Sequence, residues 1–212
     1  MSKLFERPLE MPAGSLPNAA AAKEFSSQQR LYLLRLAHEA ILAKIDGGSH
    51  PAPEPDSEWL AEHRGVFTTL YLHGQLRGCV GYAMPIAPLL RAVTETACAA
   101  AFDDTRFVPV TSEEAHALEI SLSILSPLAL IPAEEVVVGR HGLLISEGVR
   151  RGLLLPQVPV ENGWDRETFL QQTCRKAGLP LDAWGKGATI EAFTAEVFGD
   201  TRLGDSETGD RK

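Results

Sequence analysis

The sequence predicts an α+β fold, built on a mainly antiparallel sheet with helices packed against it. Several short runs alternate apolar and polar residues as half-buried strands do, and the cleanest of them spans residues 118–124. Apolar residues at helical spacing surround Leu34 and Val93, which indicates two helices that each bury one face. The order helix, strands, helix, strands, helix, strand is typical of the α+β class.

The chain is organised around one predicted hairpin. Its first strand is the run Val66–Leu72, which alternates β-branched, aromatic and aliphatic residues. The glycine-containing link at residues 73–75 predicts a tight turn. The second strand then covers residues 76–82, with the sequence Leu-Arg-Gly-Cys-Val-Gly-Tyr.

One face of the second strand carries the chemically most informative side chains. Because side chains alternate along a strand, Arg77, Cys79 and Gly81 are expected to point the same way, with bare backbone at Gly81 that a ligand could approach. Cysteine attacks as its thiolate, which a nearby guanidinium favours. We therefore interpret Cys79 and Arg77 as candidate catalytic residues. The alternative is a structural thiol beside an arginine that pairs with Asp103 or Asp104.

Two long helices are predicted before and after the hairpin. Ser26 and Gln29 have the spacing of a capping box, and the helix that they open can end at Gly47. A second helix is predicted from Pro85, which suits a first helical turn, to about Phe102. The buried stripe of the first helix is predicted to consist of Leu31, Leu34, Ala37, Ile41 and Ile45.

The second half of the chain predicts a meander followed by a helix and a last strand. Apolar runs at 136–138, 143–145 and 153–155 are separated by glycine-containing turns, which favours antiparallel strands in the same sheet as the hairpin. Asp165 can cap a helix that Gly178 stops. The last strand is predicted over residues 189–198.

The ends of the chain differ in composition from its body. Residues 1–24 are rich in Pro, Gly and Ala, and we interpret them as an arm. Residues 51–58 predict a Pro- and acid-rich loop, and residues 199–212 a polar, flexible tail. The predicted folded domain therefore covers residues 25–198.

Charge and cysteine content limit the function classes. A formal charge of −8 argues against a generic nucleic-acid or anionic-membrane surface. The chain has no apolar run of membrane-spanning length and no secretory signal. Its three cysteines, Cys79, Cys98 and Cys174, form neither a disulfide framework nor a zinc motif, which predicts reduced thiols in a cytoplasmic protein. At helical spacing from apolar neighbours, Cys98 and Cys174 are predicted to be core residues.

Several motifs together resemble one known family. The run at residues 76–81 is similar to the signature of the AMMECR domain family, the A component of the AmmeMemoRadiSam system. Runs at 103–107, 139–143, 152–158 and 161–184 extend the resemblance to about residues 25–198. It implies two unequal lobes with a cleft. It also implies a shared pathway with a Memo-like dioxygenase homologue and a radical-SAM protein.

Further polar residues are candidates for ligand binding. Asp104 and Arg106 lie in a loop, either as a structural ion pair or with Arg106 as a second anion-recognising fork. His141 occupies a predicted turn, where it can bond its own backbone or act as a base for Cys79. Gln157 and Glu161 follow a predicted strand and are expected in the cleft. The full set of candidate ligand-binding residues is Gly78, Gly81, Asp104, Arg106, His141, Gln157 and Glu161.

Three functions compete. The first is a small-molecule enzyme, or the substrate-binding subunit of one, in which Arg77 orients a small anionic ligand and Cys79 serves as nucleophile or proton donor. The second is a non-catalytic adaptor that binds a protein partner. The third is RNA binding or modification, which the acidic charge disfavours. The sequence contains no metal-ligand motif and no phosphate-cradling loop, so neither a metal nor a cofactor is predicted.

Overall fold

The computed structural model describes residues 25–48 and 57–200. The predicted arm, most of the predicted loop at 51–58 and all but the first two residues of the predicted tail lie outside the described residues. The described chain divides into two compact units. The first contains residues 25–48, 57–124 and 197–200, and the second contains residues 125–196. Within the described ranges, no helix has both the length and the apolar character needed to cross a bilayer.

Helices and antiparallel strands alternate along the described residues, as the α+β prediction requires. The helices are α1 (Ser27–Ile45), α2 (Glu58–Ala61), α3 (Leu89–Phe102), α4 (Ser112–Ala115), α5 (Gln157–Glu161) and α6 (Arg166–Lys176). The strands are β1 (Val66–Leu72), β2 (Gln75–Tyr82), β3 (Leu118–Leu125), β4 (Ala129–Leu130), β5 (Gly142–Glu147), β6 (Arg150–Leu154), β7 (Thr189–Phe193) and β8 (Ala195–Gly199).

The first sheet contains the predicted hairpin and has the strand order β2-β1-β3-β8. Strand β1 is antiparallel to both β2 and β3. His73 and Gly74 both have positive φ, 52° and 76°, as a two-residue type I′ turn requires. Leu70 pairs with Gly78 whereas Tyr71 pairs with Leu76, so one additional residue, Arg77, forms a β-bulge.

Helix α3 covers one face of this sheet. The hydroxyl oxygens of Thr68 on β1 and Thr96 on α3 lie 2.8 Å apart and are buried. The helix starts at Leu89, so the predicted start at Pro85 is wrong. The residues before Leu89 are held elsewhere, because the amide of Arg64 donates to the carbonyl of Ala87 and that of Leu89 donates to Glu62.

Helix α1 lies on α3 and keeps its predicted cap. The amide of Gln29 donates to the Ser26 hydroxyl at 3.2 Å, and the Ser26 amide donates back to the Gln29 side chain at 2.8 Å. The predicted stripe is partly wrong, since Leu31 is 62% exposed and Ile45 only half-buried. The contact surface with α3 is rotated from the predicted one. The buried residues of α1 are Leu33, Leu34, Leu36, Ala37, Ala40 and Ile41.

The second sheet has the order β4-β7-β5-β6, with antiparallel pairing throughout. Leu154 therefore belongs to a different sheet from Leu70, and the expectation of one shared sheet is wrong. The predicted strand at 136–138 is also wrong, because the carbonyl of Val137 accepts the amides of Arg140 and His141 in a turn.

The predicted last strand is divided into two. Strand β7 belongs to the second sheet and β8 to the first. The break falls at Thr194, whose amide donates to the Ser126 hydroxyl at 3.0 Å and whose carbonyl accepts the Ser126 amide at 2.8 Å. These two hydrogen bonds hold the backbone of Thr194 outside either ladder, and the two strands consequently separate there.

Helix α6 packs on β5 and β6 and begins and ends as predicted. The Asp165 carboxylate accepts the amide of Thr168 at 2.8 Å, and Gly178 has a φ of 70° just past the helix. Cys174 is fully buried in the core of this unit, as predicted. Cys98 is only half-buried, so it lies at the edge of the core and not within it as predicted. Its thiol donates to the carbonyl of Ala40 at 3.4 Å.

The buried Cys174 and the half-buried Cys98 are expected to respond differently to substitution by serine. Cys174→Ser should lower the free energy of unfolding by about 1–3 kcal/mol, because a hydroxyl replaces a thiol inside an apolar core. Cys98→Ser is the matched control with a smaller expected cost, since a serine hydroxyl there can also donate to Ala40. Urea unfolding curves measure both. Equal stability of Cys174→Ser and wild type would contradict the effect expected from burial.

Candidate functional site

The candidate site lies on the face of the first sheet opposite α3. Gly78 faces α3 closely, because a Cβ built there would overlap the carbonyl oxygen of Ala100. Its neighbour Cys79 therefore points to the opposite face. In the strand register Thr69 of β1 stands between Cys79 of β2 and Ser121 of β3, and paired residues share a face. A thiol and two hydroxyls consequently form a row across three strands.

Cys79 is a buried, neutral thiol. The residue is 7% exposed, and its sulfur lies 3.1 Å from the Thr69 hydroxyl oxygen. Burial raises the pKa of the Cys79 thiol above its ordinary value, although the Thr69 hydrogen bond and the Arg106 charge act in the opposite direction. The pKa of Tyr71, on the same face, is also raised, mainly by its own burial and further by Cys79. The arrangement favours protonated thiol and phenol groups at neutral pH.

The backbone of Cys79 is held by a carboxylate and a guanidinium. Its amide donates to Asp104 Oδ2 at 2.9 Å, and its carbonyl accepts Arg106 Nη2 at 3.3 Å. Arg106 also bonds Asp104 through two guanidinium nitrogens, at 3.0 and 2.7 Å, and through its own amide at 3.2 Å. We call the Asp104–Arg106 pair the edge clamp. Since β2 is an outer strand of the sheet, the clamp satisfies backbone groups that no neighbouring strand reaches.

Hydrogen bonds set the charge state of the edge clamp. Burial of Asp104 would raise its pKa, but the hydrogen bonds from Arg106 and the Cys79 amide outweigh burial and lower the pKa to about 2. The carboxylate is therefore ionised at neutral pH and neutralises Arg106. Arg106 in turn lies over the ring of Phe107, 5.4 Å from its centroid. The structural ion pair, one of the two alternatives expected for Asp104 and Arg106, is therefore present.

Arg77 is directed away from Cys79, contrary to the expectation that their side chains converge. Its guanidinium donates to both carboxylate oxygens of Glu114, at 3.1 and 2.8 Å, and to the carbonyls of Val108 and Pro109. The partner is therefore Glu114 of α4 rather than Asp103 or Asp104. The bulge at Arg77 breaks the strict alternation on which the expectation depended.

Both signature glycines are explained by close packing. At Gly78 the backbone of α3 occupies the space of a side chain. A Cβ at Gly81 would overlap the Phe67 ring and backbone on β1, so this position is not the bare patch that alternation predicted. Their assignment as ligand-binding residues stays a prediction, whereas the requirement for glycine follows from the neighbours.

The other candidate residues belong to the second unit. His141 Nδ1 accepts a hydrogen bond from the amide of Val137 at 3.1 Å. Bonding to the nearby backbone was one of the two alternatives expected for this ring. Burial, with a contribution from Arg140, lowers the pKa of His141. Gln157 is the half-buried first residue of α5, and Glu161 is its exposed last residue. The cleft and the roles of these three residues there remain predictions.

The structure brings Cys79, Asp104 and Arg106 together, and it adds residues that the sequence analysis missed. The sequence analysis did not single out Thr69, Ser121 or Glu114. The sequence could have placed Thr69 on one face of β1, because side chains alternate along a strand. Within the described ranges, no group of three or more His, Cys, Asp or Glu side chains could hold a metal ion.

The fold and the site define a class of α+β proteins in which a glycine-rich strand carries a buried thiol at a clamped sheet edge. The family model described as AMMECR1 matches residues 34–198, and the chain belongs to this family.

Similar proteins come from archaea. A protein from Thermococcus onnurineus is 46% identical over 180 residues, which cover 79% of this chain and 88% of that protein. Protein MK0488 from Methanopyrus kandleri is 43% identical over 178 residues, covering 79% and 86% respectively. The crystal structure of the uncharacterized protein PH0010 from Pyrococcus horikoshii has a TM-score of 0.61 and 44% identity, covering 80% of this chain and 90% of that one.

Proposed function

We propose that this protein binds a small polar molecule on the face of the first sheet that carries Cys79, Thr69 and Ser121, and that it serves as a substrate-binding component of the AmmeMemoRadiSam system. The observation that carries the proposal is the row of one thiol and two hydroxyls across three strands, in register with one another. Thr69, Tyr71 and Ser121 are half-buried and so keep part of their surface available to a ligand.

The charges around the row support a neutral ligand better than the anionic one first expected. Each guanidinium of the signature region already pairs with a carboxylate, Arg77 with Glu114 and Arg106 with Asp104. An anion would therefore compete with a carboxylate for either guanidinium. Hydroxyl, thiol and phenol groups instead recognise carbonyl, hydroxyl or amide groups through hydrogen bonds.

The protonation of Cys79 supports a role as hydrogen-bond or proton donor in preference to nucleophile. A nucleophilic cysteine needs a lowered pKa, and burial raises the pKa of this one. The edge clamp fixes the backbone on both sides of the thiol, which favours a side chain held in one position for recognition.

Pairing of the basic residues also weighs against RNA. An RNA surface would need free cations near one another. Arg77 and Arg106 pair with carboxylates as above, and Arg150 pairs with Glu147 at 2.7 Å. Partnership with a Memo-like and a radical-SAM protein is part of the proposal and is supported by the family to which the chain belongs.

Thiol labelling against pH distinguishes the donor from the nucleophile. Because the pKa of Cys79 is raised, its labelling by iodoacetamide in the folded protein at pH 7 is expected to be roughly tenfold or more slower than that of free cysteine. Its labelling rate should also go on rising with pH after the rate for free cysteine has levelled off. Arg106→Gln should slow it further, since the Arg106 charge lowers this pKa. Peptide mass mapping identifies the labelled site. Fast, selective labelling of Cys79 at pH 7 would support the nucleophile and contradict the donor.

Retention of a small molecule tests the binding proposal directly. The protein is incubated with a deproteinised cell extract, washed by ultrafiltration and denatured, and the released molecules are compared by mass spectrometry. A compound retained by wild type and by Ser112→Ala, an exposed serine on α4, should be lost or reduced about tenfold or more with Ser121→Ala. Equal retention by both variants would contradict the proposed site. If no compound were retained at all, the non-catalytic adaptor would replace this proposal.

A further inference from the structure

A depression in the second unit shares no residue with the row formed by Cys79, Thr69 and Ser121. Its volume is about 390 Å³, and it is formed where α6 packs beside β6, the edge strand of the second sheet. We propose that it binds a small organic anion that combines a carboxylate or phosphate with one planar apolar group. The lining residues are Leu154, Trp164, Gln172, Arg175 and Lys176.

Two neighbouring cations give the depression its charge preference. Arg175 and Lys176 occupy the last turn of α6 and are exposed. Neither has an ion-pair partner within the described ranges, whereas Arg150 nearby is paired with Glu147 and also donates to the carbonyl of Gly178. Cations in a last helical turn also stabilise the helix. Stabilising the helix end would not require the two cations to lie beside a depression. Binding an anion between the cations and apolar walls does require one.

Apolar and polar walls stand beside these cations. Trp164 and Leu154 are partly buried and pack against the core of the second unit, so each presents its remaining surface in a fixed position. The backbone of Trp164 is held by its amide, which donates to the carbonyl of Pro159 at 2.8 Å. An indole offers a flat surface for stacking, and the amide of Gln172 can donate or accept a hydrogen bond. The volume is near the lower limit for ligand sites, which suits a single ring with one anionic group.

The orientation of β6 supplies a matched control. Gly152 faces α6, because a Cβ there would overlap the backbone of Ala177, and Leu154 shares that face by alternation. Arg151 therefore points to the other face of β6. It is exposed and, within the described ranges, also has no ion-pair partner. Arg151→Gln thus removes the same charge from the same unit without changing the depression.

Titration with benzoate, followed by two-dimensional ¹H–¹⁵N NMR of the indole groups, tests the proposal. The Trp164 signal is assigned with Trp164→Phe. Benzoate is expected to shift this signal saturably, with a dissociation constant on the order of 1 mM for a ligand of this size. Arg175→Gln and Lys176→Gln should each weaken binding roughly fivefold or more, and Arg151→Gln should not. Benzyl alcohol should bind at least about fivefold more weakly, since it lacks the charge.

Three results would overturn the proposal. The first is the absence of a saturable shift at the Trp164 indole with benzoate. The second is an equal loss of affinity with Arg151→Gln and Arg175→Gln, which would indicate general surface attraction. The third is an equal shift by inorganic phosphate and benzoate at the same ionic strength, which would show that the apolar walls contribute nothing.

Discussion

Asp104→Ala is expected to lower the free energy of unfolding by about 3 kcal/mol, a large effect for a single substitution. The carboxylate is buried and accepts hydrogen bonds from the Cys79 amide and from Arg106. Removing it leaves a backbone amide without a partner at the sheet edge and a guanidinium without its counter-charge. Chemical denaturation of the purified variant measures the loss.

Two comparisons isolate the contribution of the edge clamp. Asp103→Ala removes an exposed carboxylate one residue earlier and should change stability by less than about 0.5 kcal/mol. In the double variant Asp104→Ala with Arg106→Ala, the loss should be smaller than the sum of the single losses, because each single variant leaves the other charge unpaired. If Asp103→Ala cost as much as Asp104→Ala, the edge clamp would not be the cause.

The edge clamp also predicts an acid-dependent loss of stability. The pKa of Asp104 is about 2 in the folded protein and close to 3.8 when unperturbed. The folded state therefore binds this proton less readily than the unfolded chain. The corresponding stabilisation is complete above about pH 4 and is lost as the pH falls towards 2. In Asp104→Asn this part of the acid dependence should be absent, as unfolding curves between pH 5 and 2 would show.

Gly78→Ala is the second substitution with a large expected effect, a loss of about 3 kcal/mol or more. The added methyl group would overlap the carbonyl oxygen of Ala100, which is helix backbone and cannot move without shifting α3 from the sheet. A displacement of α3 would also disturb the buried pair Thr68 and Thr96. The free energy of unfolding, with near-ultraviolet circular dichroism to report tertiary packing, measures the effect.

Gly185→Ala is the control for Gly78→Ala, since a Cβ there meets no atom within 4 Å and the backbone does not require glycine. It should be close to neutral. Gly152→Ala in the second unit should cost a similar amount of stability to Gly78→Ala. The backbone of Ala177, the residue after α6, occupies the space that the added side chain would need. A stable, well-folded Gly78→Ala would show that α3 can move away from β2, contrary to the close packing seen here.

Local sequence patterns predicted the secondary structure well where the deciding hydrogen bonds and contacts join residues close together in sequence. The capping box at Ser26, the Asp165 cap and the strand alternation at 118–124 are all present. The pattern failed where partners distant in sequence compete for the backbone. Residues 136–138 have strand-forming side chains, yet the turn formed by Val137 takes the hydrogen bonds that a ladder would use.

For the candidate site, the sequence by itself determined the hairpin, the position of Cys79 on β2 and the loop that holds Asp104 and Arg106. These features depend on turn chemistry and on alternation, which act over a few residues. The separation into two sheets was decided only by the tertiary structure, since a run of residues does not specify which other strand it pairs with.

Tertiary structure also decided which groups meet at Cys79. A two-residue turn alone would place Thr69 opposite Gly78; the bulge at Arg77 shifts the register by one residue and places Thr69 opposite Cys79. The same bulge accompanies the turn of Arg77 towards Glu114, so the guanidinium beside the thiol is that of Arg106, 27 residues away along the chain. Strand register and the approach of distant loops depend on packing of the whole unit, which local sequence does not encode.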